Sequence, residues 1–156
     1  VRTAAEKLVD ARIAEGENLK KDITNKLNGM LTFVDYIEER SPQIIAEYRQ
    51  KLTAKLNELL GDTKIEESVL ATEAVIFADK ICVDEETVRL RSHIQNMKAT
   101  LDDGEEIGRK LDFIAQEMNR EANTILSKAN DLEVSNVAIN LKTEIEKVRE
   151  QIQNIE

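Results

Sequence analysis

The chain has 156 residues, 41% apolar, 34% charged and only 3% aromatic, with five Gly and one Pro. At about 100–200 residues per domain this is one domain or a tightly coupled pair. So few turn formers exclude a sandwich or barrel, which turns every ten residues or so, and the composition excludes collagen-like, low-complexity and disulfide-scaffold classes. The formal charge of −9 is unevenly spread, with −7 on residues 62–106 and +1 on residues 107–130. That total argues against a broad electrostatic grip on nucleic acid and leaves room for a metal-loaded acidic site, where the ion reverses the local sign. No stretch approaches the ~18 apolar residues of a membrane span, and no apolar signal segment opens the chain. One cysteine, Cys82, fits a reducing cytoplasm. The first residue is Val1 rather than Met, so a piece of a longer protein is expected.

Periodicity and caps predict an all-α, elongated bundle of about six helices with long antiparallel, coiled-coil-like packing. The first helix opens at Thr3, with Glu6 completing a capping box, and carries Ala5, Leu8, Leu19, Ile23, Leu27, Met30, Val34 and Ile37. Ser41-Pro42 reads as an N-cap and first helical proline of a second helix with Ile45, Tyr48, Leu52, Leu56 and Leu59, stopped by Gly61. The third, from about Lys64 to Cys82, is apolar on most sides, which predicts a place in the middle of the bundle. Asp84 is the expected N-cap of the fourth, with Leu90, Ile94, Met97 and Leu101 as its seam. Asp102-Asp103-Gly104 marks a turn. The fifth helix carries Ile107, Leu111, Ile114, Met118, Ala122, Ile125, Ala129 and Leu132. The sixth repeats Val134, Ala138, Leu141, Ile145, Val148, Ile152 and Ile155 at alternating four and three, a seam that needs a long partner helix. Residues 1–156 are treated as a single helical unit, and the stripes need neighbours from this chain or another. A first helix of roughly 50 Å, against the ~13 Å gyration radius of a compact small domain, favours an elongated oligomer.

Chemistry-bearing residues are few. Glu73 is the only charge from Ser68 to Ala78; in a central helix it would need a cation, a metal or a donor, and otherwise it reaches solvent or a structural arginine. Glu86 and His93, seven apart, differ by only about 20° around one helix, so His93 is either a ligand, proton carrier or phosphate donor in one cleft, or a packing residue. Glu85 and Arg89 form an ordinary i, i+4 pair. Opposite the apolar stripe of the fifth helix lie Asp112, Gln116, Asn119, Asn123 and Ser127. A merely solvated face would use better helix formers, so these short side chains point to specific hydrogen bonding. Glu117 and Glu121 at i, i+4 can hold a hydrated Mg²⁺ or Mn²⁺, and Arg109, Lys110, Arg120 and Lys128 can meet phosphates. The bland alternative is a polar helix–helix interface.

The run from Gly108 to Lys128, GRKLDFIAQEMNREANTILSK, closely resembles the C-terminal half of the YicC/YloC family of bacterial stress-induced proteins, described as endoribonucleases. Glu15-Gly16-Glu17, Glu73, the Glu85-Glu86, Arg89-Leu90 and His93 pattern, and the closing stretch from Glu146 to Glu156 resemble it too. Cys82, where aspartate is common, and Leu126, where a small residue is common, depart from the pattern. The resemblance implies a further domain ahead of residue 1, a cytoplasmic homo-oligomer, a hexamer, around a space that admits RNA, and cleavage of single-stranded RNA with a divalent cation, Mn²⁺ or Mg²⁺. The resemblance does not say which residues cut. From the spacings above, Glu117 and Glu121 with Glu73 and Glu86 are the expected metal ligands, and His93, Glu121 and Arg120 the expected catalytic residues. Arg109, Lys110, Asn119, Asn123 and Lys128 are the expected RNA contacts. The rival expectation is a non-catalytic oligomerisation module, or an adaptor that steers RNA or a degradative ribonuclease.

Overall fold

A computed structural model describes residues 2–61, 64, 66–104 and 106–155. Among these it has five helices and no strand: α1 Arg2–Leu60, α2 Glu67–Ile81, α3 Asp84–Leu101, α4 Gly108–Lys128 and α5 Leu132–Gln153. Four of them, α1, α3, α4 and α5, close a bundle in which each packs on two others. Cross-helix bonds fix the directions. Asn28 and Asp35 of α1 meet Lys98 and Arg91 of α3, so α1 and α3 are antiparallel. Arg89 and Glu86 meet Glu121 and Lys128, Asp112 meets Arg149, and Asp22 and Arg40 meet Gln151 and Asp131, so every neighbouring pair runs in opposite senses.

The core follows from the seams. Ile23, Leu27, Met30, Val34 and Ile37 of α1 face Leu90, Ile94, Met97 and Leu101 of α3, Leu111, Met118, Ala122 and Ile125 of α4, and Ala138, Leu141, Ile145 and Val148 of α5, all buried. Their alternation of four and three puts each set on one stripe, the geometry of a four-helix bundle. The seam of the predicted sixth helix obtains its long partners in α1 and α4.

Five helices replace the expected six because α1 does not stop at Pro42. Its 59 residues would rise about 88 Å at 1.5 Å each. Proline removes the bond to the Glu38 carbonyl, a loss of about 3 kcal/mol in a helix interior. The apolar phase nevertheless runs on from Ile37 to Ile44 and Tyr48, and Arg40 straddles the break. Its guanidinium donates to both carboxylate oxygens of Glu47, at 2.8 and 2.9 Å, and to both of Asp131, at 3.1 and 3.3 Å. Asp131 in turn accepts from the Val134 amide as the N-cap of α5. One arginine thus holds the turns before and after the proline and the start of α5.

Other boundaries move for similar reasons. Thr3 already lies inside α1, so it caps nothing, and Ala5 and Leu8 are exposed rather than packed. Val83, not Asp84, is the N-cap of α3, without a side-chain bond. Leu132 begins α5 and stands 77% exposed instead of closing the stripe before it. The turn expected after α3 is present: Gly104 has φ +91, a left-handed conformation that suits glycine.

α2 is peripheral, not central. It lies along the second half of α1, where Phe77 stacks on Tyr48 with ring centroids 3.8 Å apart. Only Leu70 and Phe77 are buried on it, while Val69, Val75 and Ile76 face solvent. Glu73 is therefore exposed, and its need for a buried counter-ion disappears. At the other end of α1, Leu8, Val9 and Ile13 are more than half exposed. No helix among the described residues is long and apolar enough to cross a membrane.

Candidate nucleic-acid interface

Two carboxylates are buried where α3 meets α4. Glu86 sits in the first turn of α3, at the positive end of its dipole, and Glu121 projects from the middle of α4; they are 4% and 6% exposed. Lys128 donates to Glu86 Oε1 at 2.8 Å and to the Cys82 carbonyl at 3.2 Å. Arg89 Nε donates to Glu121 Oε1 at 2.9 Å, while the same guanidinium reaches Glu85 at 3.3 Å and stands 3.7 Å from Glu86. Burial pushes the Glu86 carboxyl up, but the Lys128 hydrogen bond, its own backbone amide and the charges of Lys128 and Arg89 together leave it below its ordinary value. The hydrogen bond to Glu86 holds Lys128 above its ordinary value, and the one to Glu121 does the same for Arg89. Glu86 Oε2 is buried without a hydrogen-bond partner among the described residues.

The first turn of α4 has the opposite character. Its N-cap, Ile107, offers no side-chain acceptor, and no acid stands in the first turn. Arg109 and Lys110 instead add positive charge to the positive end of the dipole, an arrangement that costs helix stability and favours an anion. Beside it Gly108, Arg109, Asp112, Ile152 and Gln153 line a cavity of about 290 Å³. From there a solvent-facing stripe runs the length of the helix: Arg109, Phe113, Gln116, Arg120, Asn123 and Ser127, all exposed, at steps of four, three, four, three and four. It lies opposite the buried stripe of Leu111, Ile114, Met118 and Ile125. Glu106, three residues before Arg109, is exposed, while two other acids beside the stripe are engaged. Asp112 accepts from Arg149 at 3.0 Å and from Gln116 at 3.0 Å, and Glu117 lies 3.8 Å from Arg120.

The structure brings Glu86, Glu121 and Lys128 into one cluster and leaves the other expected residues apart from it. Arg109, Lys110, Arg120 and Asn123 are exposed on α4. Asn119 is half-buried and turned toward α5, where with Leu126, Ile139, Lys142, Thr143 and Glu146 it lines a cavity of about 470 Å³. His93 is half-buried on the same flank of α3 as Glu86, about 10 Å along the axis. Glu73 lies nine residues before the end of the α2–α3 corner at Cys82, about 14 Å of helix away. Arg89 is the residue missed: its bond to Glu121 spans 32 positions, and the neighbouring Glu85 supplies a sufficient partner on local spacing alone. Glu156 lies outside the described residues.

The four expected metal ligands do not meet. Among the described residues no three His, Cys, Asp or Glu side chains stand close enough to hold an ion. The two buried carboxylates are already neutralised by Lys128 and Arg89, so this donor set does not fit a divalent cation.

The family model described as "Endoribonuclease YicC-like, C-terminal" matches residues 37–156. A protein of Clostridioides difficile (strain 630) named "Probable endoribonuclease YicC" is 45% identical over 157 residues, covering 100% of this chain and 54% of that protein. A Haemophilus influenzae protein of the same name is 34% identical over 142 residues, covering 91% of this chain and 49% of that protein. The chain spans about half the length of the curated relatives it matches.

Proposed function

Since the chain belongs to the YicC-like endoribonuclease family, we propose that it supplies the RNA-holding surface of an endoribonuclease that cuts single-stranded RNA. The observation that carries this reading is the outer stripe of α4, with Arg109 and Arg120 exposed on a chain of charge −9 and Lys110 beside them. Arg109, Lys110 and the free amides of the first turn take phosphates. Arg120, whose side chain is 74% exposed, takes another, and Asn123 hydrogen-bonds a sugar or base. The buried cluster serves the stripe from behind. Lys128 and Arg89 lock α4 to α3, so the stripe is presented on a rigid element. Lys128 and Glu121 thereby act as positioning residues, and Asn119 faces α5 rather than the strand. His93 is the proposed proton carrier in cleavage.

The proposal takes a requirement for Mn²⁺ or Mg²⁺ from the family likeness and routes no step through this chain's acids; a chelator titration of cleavage reads it. Cleavage of a labelled single-stranded RNA by the protein expressed from its complete natural gene tests the rest. Arg109→Ala with Arg120→Ala weakens RNA binding and flattens its salt dependence by about 0.7 per lost phosphate contact. His93→Ala lowers the turnover of bound RNA by roughly 100-fold or more. Unchanged binding and cutting in both overturn the reading.

A second reading rests on a separate observation. Leu8, Val9 and Ile13 on α1 and Val69, Val75 and Ile76 on α2 are exposed apolar positions, which support the proposal that copies of the chain associate, as a hexamer in the family's manner. If this is all the chain does, RNA and degradative ribonucleases bind elsewhere, and the Arg109→Ala, Arg120→Ala protein behaves as wild type toward both.

A further inference from the structure

The chain has five aromatic residues, and four have places in the fold. Phe77 is buried and stacked on Tyr48, Phe33 packs against the core, and Tyr36 donates its hydroxyl to Glu133 at 2.8 Å. Phe113 is the most exposed of the five, at 62% against 37% for Tyr36, and stands on the outer stripe of α4 with no partner of that kind. Arg109 and Lys110 lie one turn before it, Gln116 one turn after and Arg120 two turns after. An apolar protein partner is met by clustered aliphatic side chains, and the exposed aliphatics of α1 and α2 answer that description. Phe113 has no such company on its stripe, only guanidinium, amide and hydroxyl groups. A flat ring between cations matches one ligand chemistry, a base of a single strand whose phosphates lie to either side.

We propose that Phe113 is the base-stacking platform of this surface, with Arg109 and Arg120 holding the phosphates that flank the stacked nucleotide. The inference rests on the RNA-binding reading above and adds to it the residue that grips bases instead of backbone. Because every base has a π-face, this contact is tolerant of sequence, and it selects single strands, whose bases are open, over duplex.

The test uses the protein from its complete natural gene and a fluorescent 12-nucleotide oligouridine, with a second strand of equal length lacking bases at its central positions. Phe113→Ala raises the Kd for oligouridine roughly 5- to 100-fold. Phe113→Leu, which keeps apolar bulk without the π-face, weakens it nearly as much, and Phe113→Trp restores it. On the abasic strand wild type and Phe113→Ala bind alike. Sedimentation shows all four proteins assembling to one mass. The proposal falls if Phe113→Leu binds as wild type, if the Phe113→Ala effect persists on the abasic strand, or if that variant changes assembly mass, which would assign the ring to a second copy. Should Arg109→Ala with Arg120→Ala weaken binding while the Phe113 variants do not, stacking alone is wrong; if neither set matters, the RNA-binding reading fails with it.

Discussion

The α3–α4 cluster makes a statement about pH. The Glu86 carboxyl lies below its ordinary value of about 4.5 in the fold, so the unfolded chain binds its proton more readily. Its stabilisation is full above that ordinary value and fades as pH falls through the lower folded one. Lys128 is held above its ordinary 10.5, so its share is full below that value and fades as pH rises through the higher folded one. Asp131 and Glu47, held low by hydrogen bonds to Arg40, add to the acid limb. Lys128→Met strands a buried carboxylate, and urea unfolding at pH 7 is expected to read a loss of about 1–3 kcal/mol. At pH 4 the deficit shrinks, because the stranded Glu86 takes up a proton. Equal deficits at both pH values would mean that the ion pair is not the cause. Glu86, Glu121 and Lys128 stood out in the sequence, but as metal ligands and a phosphate contact rather than as members of ion pairs between α3 and α4. Arg89 was not, because a partner 32 residues away leaves no local trace. Phe113 could have been read from its phase, four residues from Arg109 and seven from Arg120, but an aromatic among Leu and Ile looks like core.

At the scale of elements, the apolar phase was the better guide and the punctuation the worse. Ser41-Pro42 is a common way to begin a helix, yet the step from Ile37 to Ile44 keeps the seam in register, and packing overrode the local signal. The Arg40 clamp is the compensation. Pro42→Ala should raise the stability of the folded chain by about 1–3 kcal/mol in thermal unfolding. Arg40→Met should lower the melting temperature, and Pro42→Ala should recover part of that loss. Failure of the double variant to recover anything would show that the arginine serves only α5. α2 misled in the other direction. Its apolar surface is real, but hydropathy alone does not decide burial, and only the edge that meets Tyr48 is covered within this chain.

At the scale of the molecule, the all-α class, the antiparallel seams and the turn at Gly104 were all readable, since each follows from short-range periodicity. Which helices share a flank was not, because it depends on how four stripes close on one another. Most of the exposed aliphatic side chains among the described residues sit towards the two ends of α1 and on α2, away from the bundle, while Val88, Leu132 and Ile139 are exposed on the bundle itself. If copies of the chain associate through these positions as proposed, Val9→Glu with Ile13→Glu reduces the assembled mass in sedimentation. It should leave bundle unfolding within about 0.5 kcal/mol of wild type, as surface changes do. A bundle that unfolds with the assembly would instead show that the protomer does not stand alone.

The unbroken α1 has a consequence for insertions. Every residue turns a helix by about 100°, so α1 fixes the angular setting of α2 against the bundle as a key blank fixes its teeth. One residue added between Ile44 and Tyr48 would swing Tyr48 a quarter-turn or more away from Phe77. Seven added there would bring it back to within about 20°, lengthening the shaft while keeping its timing.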